Sequence, residues 1–461
     1  MNSTLNKNLN SLDKFFDSCL AESFIYKLII GLFTLIQNYL VKNFNFLVKP
    51  VYFLNSLTLC FLTICLGLPQ LANDKGYFGI IIIIGLGLSL IYKVLEKNSK
   101  FKFNVLDALV VTYFLANVIA TFASAYFKES LFGLAKLVVY IFCYFWFRLS
   151  FSFNLKLKTV IINSLIFLAS LMSLYGLYQY KIHVKPLATW EDPSLEIHQT
   201  RVFSTLGNPN LLAGFLLPVF FISLAYCFNY LTRKKFFTSF IYGFISIIIG
   251  LTILFTGSRG AYLCLPICFI LGLATVLITW VKKFSLKKII LIASLTLFTI
   301  GLGGVIILKI PYFSDRFSTI FAGRAHSSNS YRINVWESSL NMLKDNYIFG
   351  IGPGNKTFRL AYGLYMKSGF DALGTYCVPL EIAVESGVLG FTAFYAFILY
   401  WFVKLHVSFW NYVNDNGKIN FKLLGLALAM LSMLIHGLVD TVFLRPQIQI
   451  IFWLLISILV E

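Results

Sequence analysis

Residues 311–376 read PYFSDRFSTIFAGRAHSSNSYRINVWESSLNMLKDNYIFGIGPGNKTFRLAYGLYMKSGFDALGTY, the longest polar segment of a predominantly apolar chain. Apolar runs flank it on both sides, and a helix needs a run of about 20 residues to cross roughly 30 Å of hydrocarbon. The segment therefore predicts one large loop outside the membrane, in which most side chains capable of chemistry lie.

The composition is that of a membrane protein. Of 461 residues, 58% are hydrophobic and 12% are charged, about half the charged fraction of a soluble chain. A transmembrane β-barrel would need short segments that alternate in polarity, and these runs do not alternate. We therefore predict an all-α polytopic membrane protein.

Two composition values exclude other classes. The net charge of +19 is explained by lysines in cytoplasmic loops, so we expect no nucleic-acid partner. Eight cysteines lie mostly within apolar runs and no CxxC occurs, which gives neither a disulfide framework nor a metal-ligand pattern. We expect no metal or cofactor.

Apolar runs of spanning length divide the chain into four parts. We predict a cytoplasmic segment (1–50), spans 1–9 (51–309), the large outer loop (310–376) and spans 10–12 (377–461). Phe24–Leu40 is predicted as an amphipathic interfacial helix, because a span here would invert every later loop against the positive-inside rule. The twelve spans are expected near residues 51–68, 77–93, 104–126, 131–149, 157–180, 207–231, 236–255, 259–280, 287–308, 377–403, 421–441 and 445–460.

Lysine and arginine are distributed differently along the chain. Lysines collect at the amino terminus and in every second connection, which predicts cytoplasmic termini and a periplasmic loop in the plasma (inner) membrane. A thylakoid membrane is the alternative. Seven of the nine arginines fall on the opposite, outer side: Arg201, Arg259, Arg316, Arg324, Arg332, Arg359 and Arg445.

The outer arginines indicate an anionic ligand at the outer leaflet, beside the membrane lipids. A guanidinium offers a rigid fork of donors that matches phosphate or carboxylate with two hydrogen bonds. Pairing with acidic residues of the loop is the alternative explanation.

Two of these arginines lie beside short turns. Gly207-Asn208-Pro209 forms a turn and Asn210 opens a helix, so we expect Arg201 above a helix amino terminus, where backbone N–H groups favour anions. The turn alone would account for these residues equally well. Arg259, in FTGSRGAYL, is the one charge between two spans. Such a charge usually faces the bundle, and snorkelling to the interface is the alternative.

Two further patterns involve helices. Ser330–Asp345 predicts a helix in which Trp336 lies one turn from Arg332 and supports it, with an apolar face of Ile333, Trp336, Leu340 and Leu343. In IHGLVDTVFLRP, His436 and Asp440 are spaced i, i+4 with Arg445 just beyond. This second pattern predicts either a structural clamp or part of a binding site.

Five stretches occur in a fixed order: RVFSTLGNPNLLA, GSRGA, YRINVWESSLNMLKDNYIFGIGPGNKTF, LEIAVESGVLG and HGLVDTVF. Together they resemble the O-antigen ligase and polymerase superfamily of bacterial membrane glycan enzymes, over roughly residues 50–461. The text YCVPLEIAVESG is similar in particular to the cyanobacterial branch described as inorganic-carbon (bicarbonate) transporters.

The resemblance implies a role for the outer face. Enzymes of this superfamily bind a polyprenyl-diphosphate-linked glycan there and transfer the glycan without a metal. Arg259 and Arg332 correspond to the arginines that hold the diphosphate, and Tyr376-Cys377 stands where those enzymes carry a His-Asn pair. The predicted catalytic residues are therefore Arg259, Arg332 and Tyr376. The predicted substrate-binding residues are Arg201, Asn210, Arg324, His436, Asp440 and Arg445.

Three functions remain open from the sequence. The first is glycan transfer, with Tyr376, Glu381 or His436 orienting the acceptor. The second is a family member that only binds the lipid-linked glycan, since a phenol is a weaker base than imidazole at neutral pH. The third is bicarbonate transport or a transport accessory role, for which the spans offer Lys136 and Asp107 as polar groups.

Overall fold

A computed structural model describes residues 2–69, 76–97, 102–185, 200–281 and 309–459, with isolated positions between these ranges. Within them the chain is α-helical, with short 3-10 turns and no strand. The helices are α1 (Asn2–Glu22), α2 (Phe24–Phe44), α3 (Val48–Cys65), α4 (Tyr77–Leu95), α5 (Val105–Ala123), α6 (Phe127–Phe153), α7 (Leu155–Lys181), α8 (Pro209–Thr232), α9 (Phe236–Phe255), α10 (Arg259–Val281), α11 (Pro311–Phe321), α12 (Ser327–Asp345), α13 (Asn355–Tyr362), α14 (Val378–Asn416), α15 (Phe421–Gly437) and α16 (Pro446–Ile458).

The apolar runs form helices of membrane-crossing length. In the described part of the chain, nine helical stretches are long and apolar enough to span a bilayer. The first of them, Phe24–Cys65, joins α2 and α3, while α15 and α16 are apolar but shorter. The protein is therefore a multi-pass membrane protein, and the predicted count of twelve spans is not confirmed.

Eleven of the twelve predicted spans coincide with helices, and the predicted span 287–308 lies outside the described ranges. The tenth predicted span, 377–403, belongs to a helix that runs thirteen residues further, to Asn416. A helix also forms where the interfacial helix was predicted: α2 buries no side chain. Its position relative to the membrane stays a prediction.

Two helices occupy the centre of the bundle. Side chains on all sides of α8 are fully buried, including Leu212, Phe215 and Leu217, and the helix packs against α7, α9, α15 and α16. Nearly every residue of α16 is buried as well. A helix that is apolar all round is stable only when other helices surround it, which explains why these two are central.

Helix α14 is broken at Gly387, and the long loop fills the break. Gly387 has φ +61° and ψ −165°, a conformation that is essentially restricted to glycine. The amide of Ile351 donates to the carbonyl of Val384 at 2.9 Å, and the amide of Gly352 donates to that of Glu385 at 2.9 Å. The glycine-rich turn 350–354 therefore satisfies backbone groups that the break exposes.

The predicted helix in the long loop is present, but its buried face is different. α12 starts three residues before the predicted Ser330 and ends at Asp345. Its buried residues are Asn334, Val335, Ser338, Ser339 and Met342, whereas Leu340 is 48% exposed. The predicted apolar face is largely wrong: of its four residues, Leu343 packs against the small second core that Val335 and Met342 form with α13 and α14.

Candidate functional site

Four segments that are distant in sequence meet at one end of the bundle, which we call the loop end because residues 309–377 cover it. They are the segment that begins α8, the amino terminus of α10, helix α12, and the turn between α15 and α16. Hydrogen bonds connect these segments through Arg201, Asn210, Arg259, Arg332 and Asp440, which together we call the arginine cluster.

Arg201 lies over the amino terminus of α8. Its Nε donates to the carbonyl of Thr256 at 2.9 Å, and its Nη2 donates to Asn210 Oδ1 at 2.9 Å. The side chain of Asn208 caps the same helix by accepting from the amides of Asn210 and Leu211. Arg201 therefore lies above a capped helix amino terminus, as predicted from the sequence.

Asp440 accepts hydrogen bonds from two sides of the cluster. Its Oδ2 accepts from Asn210 Nδ2 at 2.9 Å and from Arg332 Nη2 at 3.2 Å. Its Oδ1 accepts from the amide of Val442 at 3.1 Å. The residue is only 7% exposed, so the pair with Arg332 is screened by water far less than a surface salt bridge.

Arg332 is supported by an aromatic ring on its other side. Its guanidinium lies 5.9 Å from the centroid of the Tyr376 ring, which is within reach of a cation–π interaction. Trp336 was expected in this role, one turn along α12. In the described part of the chain, the ring beside the guanidinium is that of Tyr376, which the segment before α14 brings there. The expected support by Trp336 is therefore wrong.

Arg259 ties the amino terminus of α10 to the start of α12. Its Nη1 donates to Asn329 Oδ1 at 2.7 Å, and its Nη2 donates to Ser328 Oγ at 2.8 Å. Asn329 also donates to the carbonyl of Thr319 at 2.9 Å, which links α11. Arg259 therefore faces the protein, not lipid, so the snorkelling alternative does not describe its position.

His436 is buried beneath the cluster. Its Nε2 lies 3.3 Å from Ser258 Oγ, and a Cβ on Gly260 would come within 3.0 Å of its ring. The second glycine of GSRGA thus makes room for the imidazole. α15 ends at Gly437, so Asp440 lies beyond the helix and the predicted i, i+4 pair on one helix face is wrong. The two side chains still interact electrostatically.

Tyr376 adopts a strained backbone conformation with φ +57°, which is uncommon for a residue with a bulky side chain. The adjacent residues hold it there. The amide of Thr375 donates to Glu381 Oε2, and the amide of Cys377 donates to Thr375 Oγ1 at 3.2 Å. Glu381 is 1% exposed and contacts the chain from the protein interior. Its hydrogen bond with the amide of Thr375 fixes the backbone next to Tyr376.

The cluster carries an excess of positive charge. Arg259 is close enough to Arg332 and Arg201 for their like charges to repel it. Among the described side chains of the cluster, Asp440 supplies the one negative charge. The amino termini of α8 and α10 add partial positive charge. The geometry therefore favours a ligand that carries at least two negative charges.

Two predicted substrate-binding residues lie apart from the cluster. Arg324 is about half exposed and pairs with Glu337, which also pairs with Lys367. Arg445 is exposed at the start of α16 and acts electrostatically on Tyr140 of α6. Within the part of the chain that the structure describes, no contact joins either arginine to the cluster.

Several residues of the site were not found by sequence reasoning. Ser328 and Asn329 lie in a Ser/Asn-rich stretch just before the predicted start of the helix at Ser330, and in the structure they belong to the first turn of α12. Glu381 was named as a candidate for orienting the acceptor, but its contact with the backbone at Thr375 was not predicted. That contact depends on Gly374, where a Cβ would lie 2.7 Å from Glu381 Oε1. Such a close approach leaves no signal in a single sequence.

No curated protein matches the chain. Residues 244–395 match the family described as O-antigen ligase. The matched segment contains Arg259, Arg332 and Tyr376, whereas Arg201 and Asp440 lie outside it. The match supports the superfamily resemblance but not the bicarbonate-transporter branch. The chain is thus a multi-pass α-helical membrane protein with an O-antigen ligase-like segment that includes the long loop.

Proposed function

We propose that the protein binds the diphosphate of a polyprenyl-linked glycan in the arginine cluster and transfers the glycan to an acceptor hydroxyl. The observation that carries this proposal is the convergence of Arg201, Arg259 and Arg332 at the loop end, where Arg332 pairs with the carboxylate of Asp440. A diphosphate would neutralise the remaining positive charge and accept paired hydrogen bonds from the guanidinium forks.

The position of the cluster suits a lipid-linked ligand. α8 and α10 begin at the cluster and are apolar enough to cross a bilayer, so the arginines lie near a membrane interface. A polyprenyl chain would remain in the lipid while its diphosphate reaches the cluster. The lysine pattern of the loops favours the outer, periplasmic face for this interface.

In the proposed reaction, the acceptor oxygen forms a bond to the anomeric carbon of the glycan. The bond between that carbon and the phosphate oxygen breaks, and polyprenyl diphosphate leaves with its charge stabilised by Arg259 and Arg332. The proton of the acceptor hydroxyl passes to Asp440, the carboxylate within the cluster, and then to water. No metal takes part in these steps.

We assign Tyr376 a positioning function. Its ring face supports the Arg332 guanidinium at 5.9 Å, which requires the aromatic ring but not the hydroxyl group. Proton transfer by Tyr376 is therefore not needed in this mechanism, although resembling enzymes carry histidine at this position.

A direct test uses purified protein in lipid nanodiscs with a radiolabelled glycan on polyprenyl diphosphate and a hydroxyl acceptor. We expect the wild type to consume the donor and Arg332→Gln to lose consumption. Arg359→Gln is the matched control, because Arg359 is an exposed loop arginine that pairs with Asp371. Donor that is bound but never consumed would reduce the function to binding, and absence of binding would refute the whole proposal.

The bicarbonate-transport alternative has no support from the family match. The family that residues 244–395 match is the O-antigen ligase family. Lys136, the candidate for a transport route, is exposed on α6 and is attracted to Glu385 of α14. That attraction alone does not favour passage of an anion.

A further inference from the structure

A second polar cavity lies at the opposite end of the bundle. It has a volume of about 590 Å³ and lies between α1, the amino terminus of α5, and the carboxyl-terminal parts of α4, α6 and α14. Gly133 of α6 contacts the long loop at Pro353, whereas Arg148 of the same helix lines the cavity. The fifteen residues between them correspond to about 22 Å of helix, so the cavity is separate from the arginine cluster.

Basic side chains from the bundle form one wall of this cavity. They are Lys93 of α4, Lys102 before α5, Arg148 of α6 and Lys404 of α14. Each of these four segments thus contributes one basic side chain to the lining of the cavity. Among the described residues, Lys102 and Lys404 form no salt bridge.

Arg148 is the most buried of these cations. The residue is 8% exposed, and its Nη2 lies 2.7 Å from Asp107 Oδ2 and donates to the carbonyl of Lys102 at 2.6 Å. Its Nε is buried without a hydrogen-bond partner. Asp107 and the chain before α5 therefore fix the guanidinium, and its positive charge stays at the cavity wall.

The opposite wall comes from α1. Asp13 and Asp17 of this helix line the cavity, and Asp13 accepts from the Tyr400 hydroxyl at 2.8 Å. The Phe16 ring of α1 lies 6.5 Å from that of Phe103. The cavity therefore combines an apolar part under α1 with a basic part at the ends of the bundle helices.

The side chains that line the cavity carry more positive than negative charge, because four are basic and two, Asp13 and Asp17, are acidic. Asp107 pairs with Arg148 and Glu96 attracts Lys93, so Lys102 and Lys404 supply the positive charge that is available to a ligand. A phosphodiester carries one negative charge, and the phosphate of a membrane lipid lies next to an apolar tail. Basic pockets between the ends of membrane helices are known to bind such headgroups.

We propose that this cavity binds the headgroup phosphate of an anionic phosphodiester lipid, such as phosphatidylglycerol, with α1 covering it. The phosphate oxygens accept from Lys102 and Lys404, beside the positive charge of Arg148. The apolar wall beneath α1 holds the first carbons of the lipid. This site is independent of the glycan site at the loop end.

The test measures lipid retention by native mass spectrometry after the protein is exchanged into mixed phosphatidylglycerol and phosphatidylcholine. We expect the wild type to retain phosphatidylglycerol preferentially and Lys102→Gln/Lys404→Gln to lose that preference. Each lysine removed should weaken binding about fivefold, because one basic residue near an anionic lipid surface contributes about 1 kcal/mol. Lys102→Gln alone, at an exposed position, gives the intermediate value.

Lys156→Gln is the matched control, because Lys156 is exposed at the start of α7, on the same end of the bundle, and does not line the cavity. It should retain phosphatidylglycerol like the wild type. Equal retention of both lipids by the wild type, or a double variant that matches Lys156→Gln, overturns the proposal. Displacement of the lipid by millimolar inorganic phosphate also overturns it, because the occupant would then be a free anion.

Discussion

Asp440 accepts a hydrogen bond from Arg332 at 3.2 Å and thereby holds the long loop to the turn between α15 and α16. The same oxygen accepts from Asn210 at 2.9 Å, so one carboxylate joins three segments of the chain. An incoming diphosphate would compete with this carboxylate for Arg332. In the proposed function, the pair would keep the arginine in place until an anionic ligand replaces the carboxylate.

Replacing Asp440 should separate binding from transfer. In Asp440→Asn, the negative charge that competes with the diphosphate is gone, so we expect affinity for polyprenyl diphosphate to stay the same or to rise. Glycan transfer should fall by about 10²-fold or more, since a positioned proton acceptor contributes that much. Separate measurements of donor affinity and of single-turnover rate would reveal this split. Equal losses in both would give Asp440 a purely structural function.

The function of Tyr376 can be tested with two substitutions. If the ring face supports Arg332, Tyr376→Phe should keep transfer within about twofold of the wild type. Tyr376→Ala should weaken donor binding about two- to fivefold, the value of an exposed cation–π contact. Steady-state rates over a range of donor concentrations distinguish the two variants. An inactive Tyr376→Phe would mean that the hydroxyl takes part in the reaction.

The break in α14 makes Gly387 sensitive to any side chain. A Cβ at this position would lie 2.2 Å from the Ile348 carbonyl oxygen, and the backbone conformation alone costs a non-glycine residue about 1–3 kcal/mol. Gly387→Ala should lower the thermal unfolding midpoint of the purified protein by several degrees. Gly87→Ala in α4 is the control, because nothing lies within 4 Å of its Cβ position. Equal midpoints for the two variants would show that the loop does not fill the break as described.

A pH effect is expected in the loop at Glu337. Hydrogen bonds from Lys367 and Arg324 lower the pKa of this carboxyl from its ordinary 4.5. The stability that the two salt bridges of Glu337 contribute is therefore fully present above about pH 4.5. It is lost as the pH falls through the lowered pKa that Glu337 has in the folded protein. Protease cleavage of the loop should increase only in that acidic range. Glu337→Gln should show a slight increase already at neutral pH, because exposed salt bridges contribute little. Cleavage that rises equally in variant and wild type on acidification would assign the effect to another group.

The sequence predicts the helices well because spanning a bilayer imposes long apolar runs, as in α9, whose predicted and observed bounds are both 236–255. The arginines of the cluster could be proposed as ligand-binding residues from their predicted outer position alone. Lysine is sufficient to orient the spans, so arginines on the opposite side need another explanation. Contacts between distant segments could not be predicted in the same way. Asp440 lies beyond the end of α15, and only the fold brings it to Arg332.

The same limit applies to the long loop. The apolar pattern of α12 predicted the wrong buried face, because the buried face contains Ser338 and Ser339, which pack closely without being apolar. The glycines at 350–354 are typical of a turn, but their insertion beside Gly387 depends on backbone hydrogen bonds across more than thirty residues of chain. Periodicity contains no information about such pairings.

The most direct test of the central claim is a titration of the purified protein with polyprenyl diphosphate. Arg259→Gln and Arg332→Gln each remove a charge-assisted hydrogen bond, which contributes about 1.5–3 kcal/mol, so each should weaken binding about 10- to 100-fold. Arg359→Gln, at an exposed loop arginine, should bind like the wild type. Equal affinities for all four proteins would contradict the assignment of the arginine cluster as the diphosphate site.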